Sequence, residues 1–153
     1  MQDNWSLPTQ IRSGPGRLAE LLQGCRDLDI TRPLAVTDPG IAGLSLVTGA
    51  LAQLRAAGLA VGTFSGLAAN PGETHVAAGV AAARMGGHDG IIAIGGGSAM
   101  DTVKAAALMA GQSRWLSRVA PAGINRARRR PSLSRTWLFS CRWPRFGICR
   151  AIR

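Results

Sequence analysis

Three consecutive glycines and a serine separate an apolar run from an Ala-rich stretch, and residues of these types at this spacing can bind phosphate. The Gly-Gly-Gly-Ser run occupies residues 95–98, follows the apolar residues 91–94 and precedes a helix predicted over residues 99–110. Glycine lets backbone N–H groups approach a ligand because it has no Cβ. A helix N-terminus adds unpaired N–H donors and about half a positive charge. The competing interpretation is a turn that serves only tight strand-to-helix packing.

Several polar side chains lie close to this turn, either along the chain or in the expected fold. Ser98 is placed as the N-cap of the helix with Asp101 as its capping-box partner, and Lys104 follows one turn later. Asp38 ends an earlier predicted strand at the same edge of the sheet, where a carboxylate can accept hydrogen bonds from ribose hydroxyls. Its competing role is to cap the helix that follows Pro39. The pattern is neither a P-loop nor a Gly-x-Gly-x-x-Gly fingerprint, yet it favours dinucleotide binding over packing alone.

The elements that must position these residues alternate between strands and helices. Apolar runs predict strands over residues 34–38, 59–64 and 91–94, with a further short strand over residues 10–12. Apolar spacing and turn signals predict helices over residues 17–24, 41–57, 73–85 and 99–110. This alternation indicates βαβ units, so we expect an α/β fold with a Rossmann-like, mostly parallel sheet and flanking helices, equivalent to half of a doubly wound domain.

Charge divides the chain into two parts at residue 112. The length of 153 residues is typical of one domain, and residues 1–112 are nearly neutral and rich in Ala, Gly, Leu and Val. Residues 113–153 contain eleven Arg and no Asp, Glu, Lys or His, so they account for the whole net charge of +10. We therefore predict a dinucleotide-binding domain over residues 1–112 and an irregular or disordered basic tail over residues 113–153.

The basic tail admits three interpretations. Its Trp and Phe residues are interleaved with Arg, a pattern typical of a surface that binds nucleic acid or an anionic membrane. The same composition is also typical of a disordered, solvated tail. The third interpretation is translation out of frame in a GC-rich gene, which yields Arg, Pro, Ser, Trp and Cys in excess and few acids. The absence of Asp, Glu and Lys, beginning sharply after residue 112, favours the third.

Several classes of protein are disfavoured by the sequence. Arg, Gly or Pro interrupts every apolar run before it reaches the roughly 18–20 residues that a membrane-spanning helix needs. The first residues lack the basic and apolar regions of a signal peptide. The three Cys do not form a disulfide framework, and the spacing of Cys141 and Cys149 is not that of a zinc site. We therefore expect a cytoplasmic protein.

The residues around the glycine turn resemble those of a known family. Residues 95–104, Gly-Gly-Gly-Ser-Ala-Met-Asp-Thr-Val-Lys, are similar to the Gly-Gly-Gly-Ser-x-x-Asp-x-x-Lys signature of iron-containing (group III) alcohol dehydrogenases. Three shorter matches occur in the same order along the chain, and they are Ser-Gly-Pro-Gly at residues 13–16, Val-Thr-Asp at 36–38 and Ala-Asn-Pro at 69–71. The resemblance covers roughly residues 5–112. It implies the N-terminal nucleotide-binding domain of an oxidoreductase that binds NAD and acts on a small alcohol or aldehyde.

The resemblance also implies roles for individual residues of the cofactor site. It places Gly96, Gly97 and Ser98 on the pyrophosphate, with Gly95 as part of the same cofactor-binding turn. It places Asp38 on the adenosine ribose, where an acid favours NAD over NADP.

Two further cofactor residues and the metal site follow from the same resemblance. Asn70 would lie near the adenosine side of the cleft and Asp101 near its nicotinamide end. In the family, a helical domain supplies an Asp and three His to a divalent metal, typically iron or zinc. His75 and His88 are the only histidines of this chain and match no ligand position, so we expect them at the surface or at helix ends. No catalytic or metal-ligating residue is therefore assigned here.

Two hypotheses about function remain. The first is the nucleotide-binding half of an NAD-dependent, metal-dependent alcohol dehydrogenase, truncated and inactive alone because the metal-binding domain is missing. The alternative is a non-enzymatic α/β module whose Arg-rich tail binds nucleic acid or an anionic membrane. Salt separates them, because binding of an Arg-rich segment to phosphates weakens steeply with ionic strength.

Overall fold

A six-stranded sheet organises the part of the chain that the computed structural model describes, namely residues 10–14, 17–68, 70–111, 114–119 and 136–142. Its strands are β1 (Gln10–Gly14), β2 (Pro33–Thr37), β3 (Gly62–Phe64), β4 (Gly90–Gly95), β5 (Arg114–Val119) and β6 (Thr136–Arg142). They lie in the order β1-β6-β5-β4-β2-β3. Strands β2 to β5 are mutually parallel, whereas β6 is antiparallel to β5 and β1 is antiparallel to β6. The predicted α/β fold with a mostly parallel sheet is confirmed.

Helices cover both faces of the parallel part of the sheet. A short 3₁₀ turn (Arg17–Glu20) leads into α1 (Leu21–Asp27), and the chain continues through α2 (Ser45–Ala56), α3 (Glu73–Met85) and α4 (Gly97–Ala110). One apolar cluster joins α1 and α2 to one face of the sheet, and a second cluster joins α3 and α4 to the other. In β4, Ile92 and Ile94 belong to the first cluster, while Ile91 and Ala93 belong to the second. Because β4 is buried on both faces, its sequence is a continuous apolar run.

The strand order reverses between β2 and β4. From β2 the chain passes through α2 to β3 on one side, and then returns through α3 to β4 on the other side of β2. The carboxyl ends of β2 and β4 lie side by side, since Val36 pairs with Ala93 and Thr37 with Ile94. In open α/β sheets, ligands bind in the crevice that such a reversal creates at the carboxyl ends of the strands. The glycine turn lies at this crevice.

The four predicted helices are present, with boundaries that differ from the predictions at α1, α2 and α4. Helix α3 spans the predicted residues. Helix α2 begins at Ser45, later than expected, because residues 41–44 form turns. Val47, Leu51 and Leu54 on its predicted apolar face are buried. None of the helices within the described residues is long and apolar enough to cross a membrane.

The described segments after residue 112 differ from the irregular tail that we expected. Strand β5 continues the parallel sheet beside β4, in a register that runs from Ile91–Trp115 to Gly95–Val119. Strand β6 returns antiparallel to β5 and pairs in turn with β1 at the edge of the sheet. The edge of a buried parallel strand presents unpaired N–H and C=O groups, so it favours the addition of another strand. The amino-acid composition of residues 113–153 does not reveal that the edge of β4 favours pairing with another strand.

Asp89 joins the amino ends of β2 and β4. It precedes β4, and its carboxylate accepts hydrogen bonds from the N–H of Thr31 at 2.9 Å, the hydroxyl of Thr31 at 2.6 Å and the N–H of Arg32 at 2.7 Å. Burial raises the pKa of Asp89, but these hydrogen bonds favour the ionised form and lower the pKa below its ordinary value of 3.8. The carboxylate therefore stabilises the fold above that value, and the stabilisation is lost as the pH falls through the lower pKa of the folded state.

Replacing Asp89 with Asn should lower the free energy of unfolding at pH 7 by about 1–3 kcal/mol, because a neutral amide forms weaker hydrogen bonds with these donors. The gap between wild type and variant should begin to narrow as the pH falls below about 4, where the unfolded wild-type chain binds a proton, and should narrow further through the lower pKa of the folded carboxylate. Urea denaturation at neutral and acidic pH measures both effects.

The matched control is Asp27→Asn, since Asp27 is exposed and accepts a hydrogen bond at 2.7 Å from Gln23 within one helix. It should change the free energy of unfolding by no more than about 0.5 kcal/mol. An Asp89→Asn variant as stable as wild type at neutral pH would contradict the role of this carboxylate, and so would a gap that persists in acid.

Candidate functional site

The carboxyl ends of β2 and β4 meet through the side chain of Asp38. Asp38 directly follows β2, and its Oδ2 accepts a hydrogen bond of 3.2 Å from the N–H of Gly96, which directly follows β4. Its main-chain carbonyl, rather than its carboxylate, receives the N–H groups of Ile41 and Ala42. Helix α2 has no side-chain cap, so the structure does not support the capping role considered for Asp38.

Helix α4 begins earlier than the sequence suggested. Its N-cap is Gly96, with no side-chain cap, and Gly97 is its first residue. The expected N-cap, Ser98, instead lies inside the first turn, and its carbonyl accepts a hydrogen bond of 2.8 Å from the hydroxyl of Thr102. The capping box of Ser98 and Asp101 is therefore wrong. The early start places the first turn of the helix, with its N–H groups, directly at the end of β4.

The three glycines of the turn have different surroundings. A Cβ on Gly95 would lie 2.5 Å from Asp38 Oδ2 and 2.9 Å from the Cβ of Ala99, so protein contacts require a glycine there. A Cβ on Gly96 or Gly97 would meet no described atom within 4 Å. Gly96 has φ −83°, which other residues adopt readily. Neither packing against the described residues nor backbone conformation accounts for these two glycines, and no described atom fills the space beside them.

Asn70 and Asp101 have no described side-chain contact with the glycine turn. Asn70 is exposed in the loop between β3 and α3, on the carboxyl side of the sheet. Asp101 is exposed on the first turns of α4, where its Oδ1 lies 3.6 Å from Nζ of Lys104. An exposed pair of this kind contributes little to stability. The structure thus brings Asp38 together with the glycine turn, but it shows no contact between the turn and the side chains of Asn70 and Asp101.

Thr37 is a polar residue of this edge that the sequence did not single out. It is the last residue of β2 and only 3% exposed, and its hydroxyl has no hydrogen-bond partner among the described residues. A buried hydroxyl without a partner is costly, and such groups concentrate at functional sites. The sequence feature that could have identified Thr37 is its position as a polar residue between the apolar run of β2 and Asp38.

Both histidines lie at helix ends, as expected. Nδ1 of His75 accepts a hydrogen bond of 3.2 Å from the N–H of Gly72 at the start of α3. Nδ1 of His88, just after α3, lies 3.1 Å from the carbonyl oxygen of Arg32. Within the described ranges, no three His, Cys, Asp or Glu side chains are grouped closely enough to hold a metal ion. These residues therefore do not fit the metal site that the resemblance implies.

Cys25 is not a candidate nucleophile. It lies near the end of α1 and is completely buried. Burial, aided by the negative charge of Asp89, raises the pKa of its thiol to about 12. The reactive form of a cysteine is the thiolate, which is scarce at neutral pH when the pKa is this high.

Comparison with known proteins assigns the chain to a family. A model of the family "Iron-containing alcohol dehydrogenase" matches residues 8–135, and so extends beyond residue 112 into the basic tail. The 4-hydroxybutyrate dehydrogenase of Cupriavidus necator is 35% identical over 102 residues, which are 67% of this chain and 26% of that protein. The chain spans about a quarter of the length of the curated relatives it matches.

Solved structures agree with this assignment. A 1,3-propanediol oxidoreductase is 36% identical with a TM-score of 0.57, and the match covers 60% of this chain and 24% of that one. The sulfoacetaldehyde reductase of Bifidobacterium kashiwanohense, solved in complex with NAD+, is 30% identical with a TM-score of 0.58 over 69% of this chain and 28% of that one. By sequence and by fold, this chain belongs to the iron-containing alcohol dehydrogenase family.

Proposed function

We propose that the glycine turn between β4 and α4 binds the pyrophosphate of NAD, and that this chain supplies the nucleotide-binding part of an oxidoreductase. The observation that supports this most directly is the open space at Gly96 and Gly97, where a Cβ would meet no described atom within 4 Å. Glycine at such positions is explained by a ligand that approaches the backbone. The N-terminus of α4 adds N–H donors and a partial positive charge at the same place.

The surrounding residues fit the remaining parts of the dinucleotide. In this proposal Gly96, Gly97 and Ser98 hold the pyrophosphate and Asp38 receives the adenosine ribose. Asn70 lies toward the adenosine end and Asp101 toward the nicotinamide end. A bound NAD would supply a hydride acceptor for the oxidation of an alcohol, or as NADH a hydride donor for the reduction of an aldehyde. The relatives, a hydroxybutyrate dehydrogenase and a sulfoacetaldehyde reductase among them, support a small alcohol or aldehyde as substrate.

The charge of Asp38 favours NAD over NADP. Its carboxylate is fixed at the end of β2 by the hydrogen bond to Gly96 and is partly buried. A 2′-phosphate on the adenosine ribose would bring a second negative charge toward it, and like charges at close range repel more strongly where water is partly excluded. We therefore expect tighter binding of NAD than of NADP.

Gly97→Val should weaken NAD binding by at least about tenfold, because a branched side chain would occupy the space where the pyrophosphate approaches, at a cost above about 1.4 kcal/mol. The matched control is Gly49→Val, since Gly49 is also an exposed helical glycine whose Cβ would meet no described atom within 4 Å. It should leave NAD affinity unchanged. Calorimetric titration of the full chain with NAD and NADP measures both variants, and equal effects of the two substitutions would contradict the assignment of the turn.

No catalytic residue is proposed for this chain. The family resemblance implies a metal held by one carboxylate and three imidazoles, whereas the sequence has two histidines. Both of them contact the main chain at helix ends. A metal that polarises the substrate oxygen contributes several kcal/mol to such a reaction, and therefore several powers of ten in rate.

The purified 153-residue chain should therefore produce no NADH from short alcohols or diols, even with added iron or zinc. Absorbance at 340 nm measures the reaction, and the blank contains metal, NAD and alcohol without protein. Turnover above this blank that disappears in His75→Ala or His88→Ala would contradict the placement of the histidines outside the chemistry.

We also propose a boundary between the nucleotide-binding unit, residues 1–112, and a separate tail, residues 113–153. Strand β5 pairs with β4 across this boundary. A unit that ends at residue 112 and a unit that includes β5 therefore predict different patterns of proteolysis. If the division is correct, limited digestion with trypsin should cleave first after Arg114 or Arg118 and leave a stable N-terminal fragment. Protection of both sites until the sheet unfolds would contradict the division and favour β5 as part of the unit. Mass spectrometry of the fragments over time distinguishes these outcomes.

A further inference from the structure

The hydrogen bond between Asp38 and Gly96 gives the acid a role that ribose binding does not include. We propose that Asp38 is a positioning residue for the glycine turn, whose carboxylate holds the N–H of Gly96 so that the following N–H groups of α4 face the anion. The inference rests on the proposed function and deepens it, because it concerns how the same site is kept in shape.

The geometry of the strand ends supports this role. Since Thr37 pairs with Ile94, the residue that follows β2 lies beside the start of the glycine turn. Asp38 is held there by its own main chain, because its carbonyl oxygen accepts the N–H groups of Ile41 and Ala42, each at 3.1 Å. The side chain then spans the gap between the strands and reaches Gly96. A carboxylate anchored in this way restrains the turn even when no ligand is present.

Gly95 shows that the turn is fitted to the carboxylate. A Cβ at residue 95 would lie 2.5 Å from Asp38 Oδ2, the same oxygen that accepts the Gly96 N–H. Any other residue at position 95 would therefore displace the carboxylate or the turn. Contacts with the acid and with the Cβ of Ala99 require the first glycine of the run, whereas the second and third leave space for a ligand.

The contact divides the N–H donors of the turn between two acceptors. The N–H of Gly96 donates to Asp38, so Gly96 contributes to the pyrophosphate site through its lack of a Cβ, and the N–H donors left for an anion begin with Gly97 in the first turn of α4. The partial positive charge at the helix N-terminus stabilises the carboxylate, but the carboxylate also repels the anion. Position 38 therefore acts on anion binding in two opposite ways, through its hydrogen-bond acceptor and through its charge.

Two substitutions separate the acceptor from the charge. Asp38→Asn removes the charge and keeps an oxygen that can accept the Gly96 N–H, whereas Asp38→Ala removes both. The probe is inorganic pyrophosphate, which has no ribose, titrated calorimetrically into the full chain. We expect Asp38→Asn to bind pyrophosphate at least as tightly as wild type and Asp38→Ala to bind it about tenfold more weakly than Asp38→Asn. The control Asp27→Ala removes an exposed carboxylate of α1 and should leave pyrophosphate binding unchanged.

Amide hydrogen exchange of Gly96, followed by NMR without ligand, reports the contact directly. Exchange should be slow in wild type and in Asp38→Asn, and about tenfold faster or more in Asp38→Ala, while the amides of β4 stay protected. If Asp38→Ala fails to fold, as judged by circular dichroism, Gly95→Ala replaces it. That variant retains the acid but forces its oxygen, and with it the Cβ of Ala99, away from residue 95, and it should show the same loss of pyrophosphate binding and the same faster exchange at Gly96.

The outcomes distinguish this inference from the proposed function. If wild type binds NAD, but Asp38→Asn and Asp38→Ala bind pyrophosphate equally and Gly96 exchanges at the same rate in both, the positioning role is overturned and NAD binding stands. If wild type binds neither NAD nor pyrophosphate, the proposed function fails, and this inference fails with it.

Discussion

The parallel pairing of β2 with β4 is the constraint on which the rest of the described structure depends. Both strands are buried along their whole length, with one helix layer on each face. Their register brings Asp89 to Arg32 at one end and Asp38 to Gly96 at the other. The partners in these two contacts are 57 and 58 positions apart in the sequence, respectively. A slip of one residue would turn every side chain of β4 toward the opposite helix layer. The burial of both faces therefore also fixes the two polar contacts at the strand ends.

The two ends of this strand pair serve different purposes. At the amino end, the Asp89 carboxylate receives three hydrogen bonds from Thr31 and Arg32, so its polar groups are well satisfied. At the carboxyl end, the hydroxyl of Thr37 has no partner among the described residues, and the space beside the glycine turn is open. Incomplete satisfaction of polar groups is tolerated where a ligand binds and is avoided where only stability matters. The contrast agrees with a binding site at the carboxyl edge.

Membership of the iron-containing alcohol dehydrogenase family is consistent with this arrangement. The matched relatives are about four times as long as the segment they share with this chain. Residues 8–135, which the family model matches, contain the strand reversal and the glycine turn where we propose that a dinucleotide binds. The described residues have no cluster that suits a metal. In the proposed function, recognition of the cofactor and activation of the substrate therefore depend on different parts of the protein.

Patterns among neighbouring residues were enough to predict the secondary-structure elements and the candidate site. The run of apolar residues in β4, the helix spacing of α3 and the Gly-Gly-Gly-Ser turn are local patterns, so they predicted the α/β fold and placed Asp38 and the glycines at one edge. The start of α4 was misjudged because Ser98 is a good N-cap by type, whereas the helix begins at Gly97 after Gly96, whose N–H donates to the distant Asp38. Local patterns did not predict that Asp38 accepts a hydrogen bond from Gly96, that Asp89 joins β2 to β4, or that β5 extends the sheet. These contacts link distant parts of the chain. They form because of the strand register, and that register depends on the packing of both helix layers.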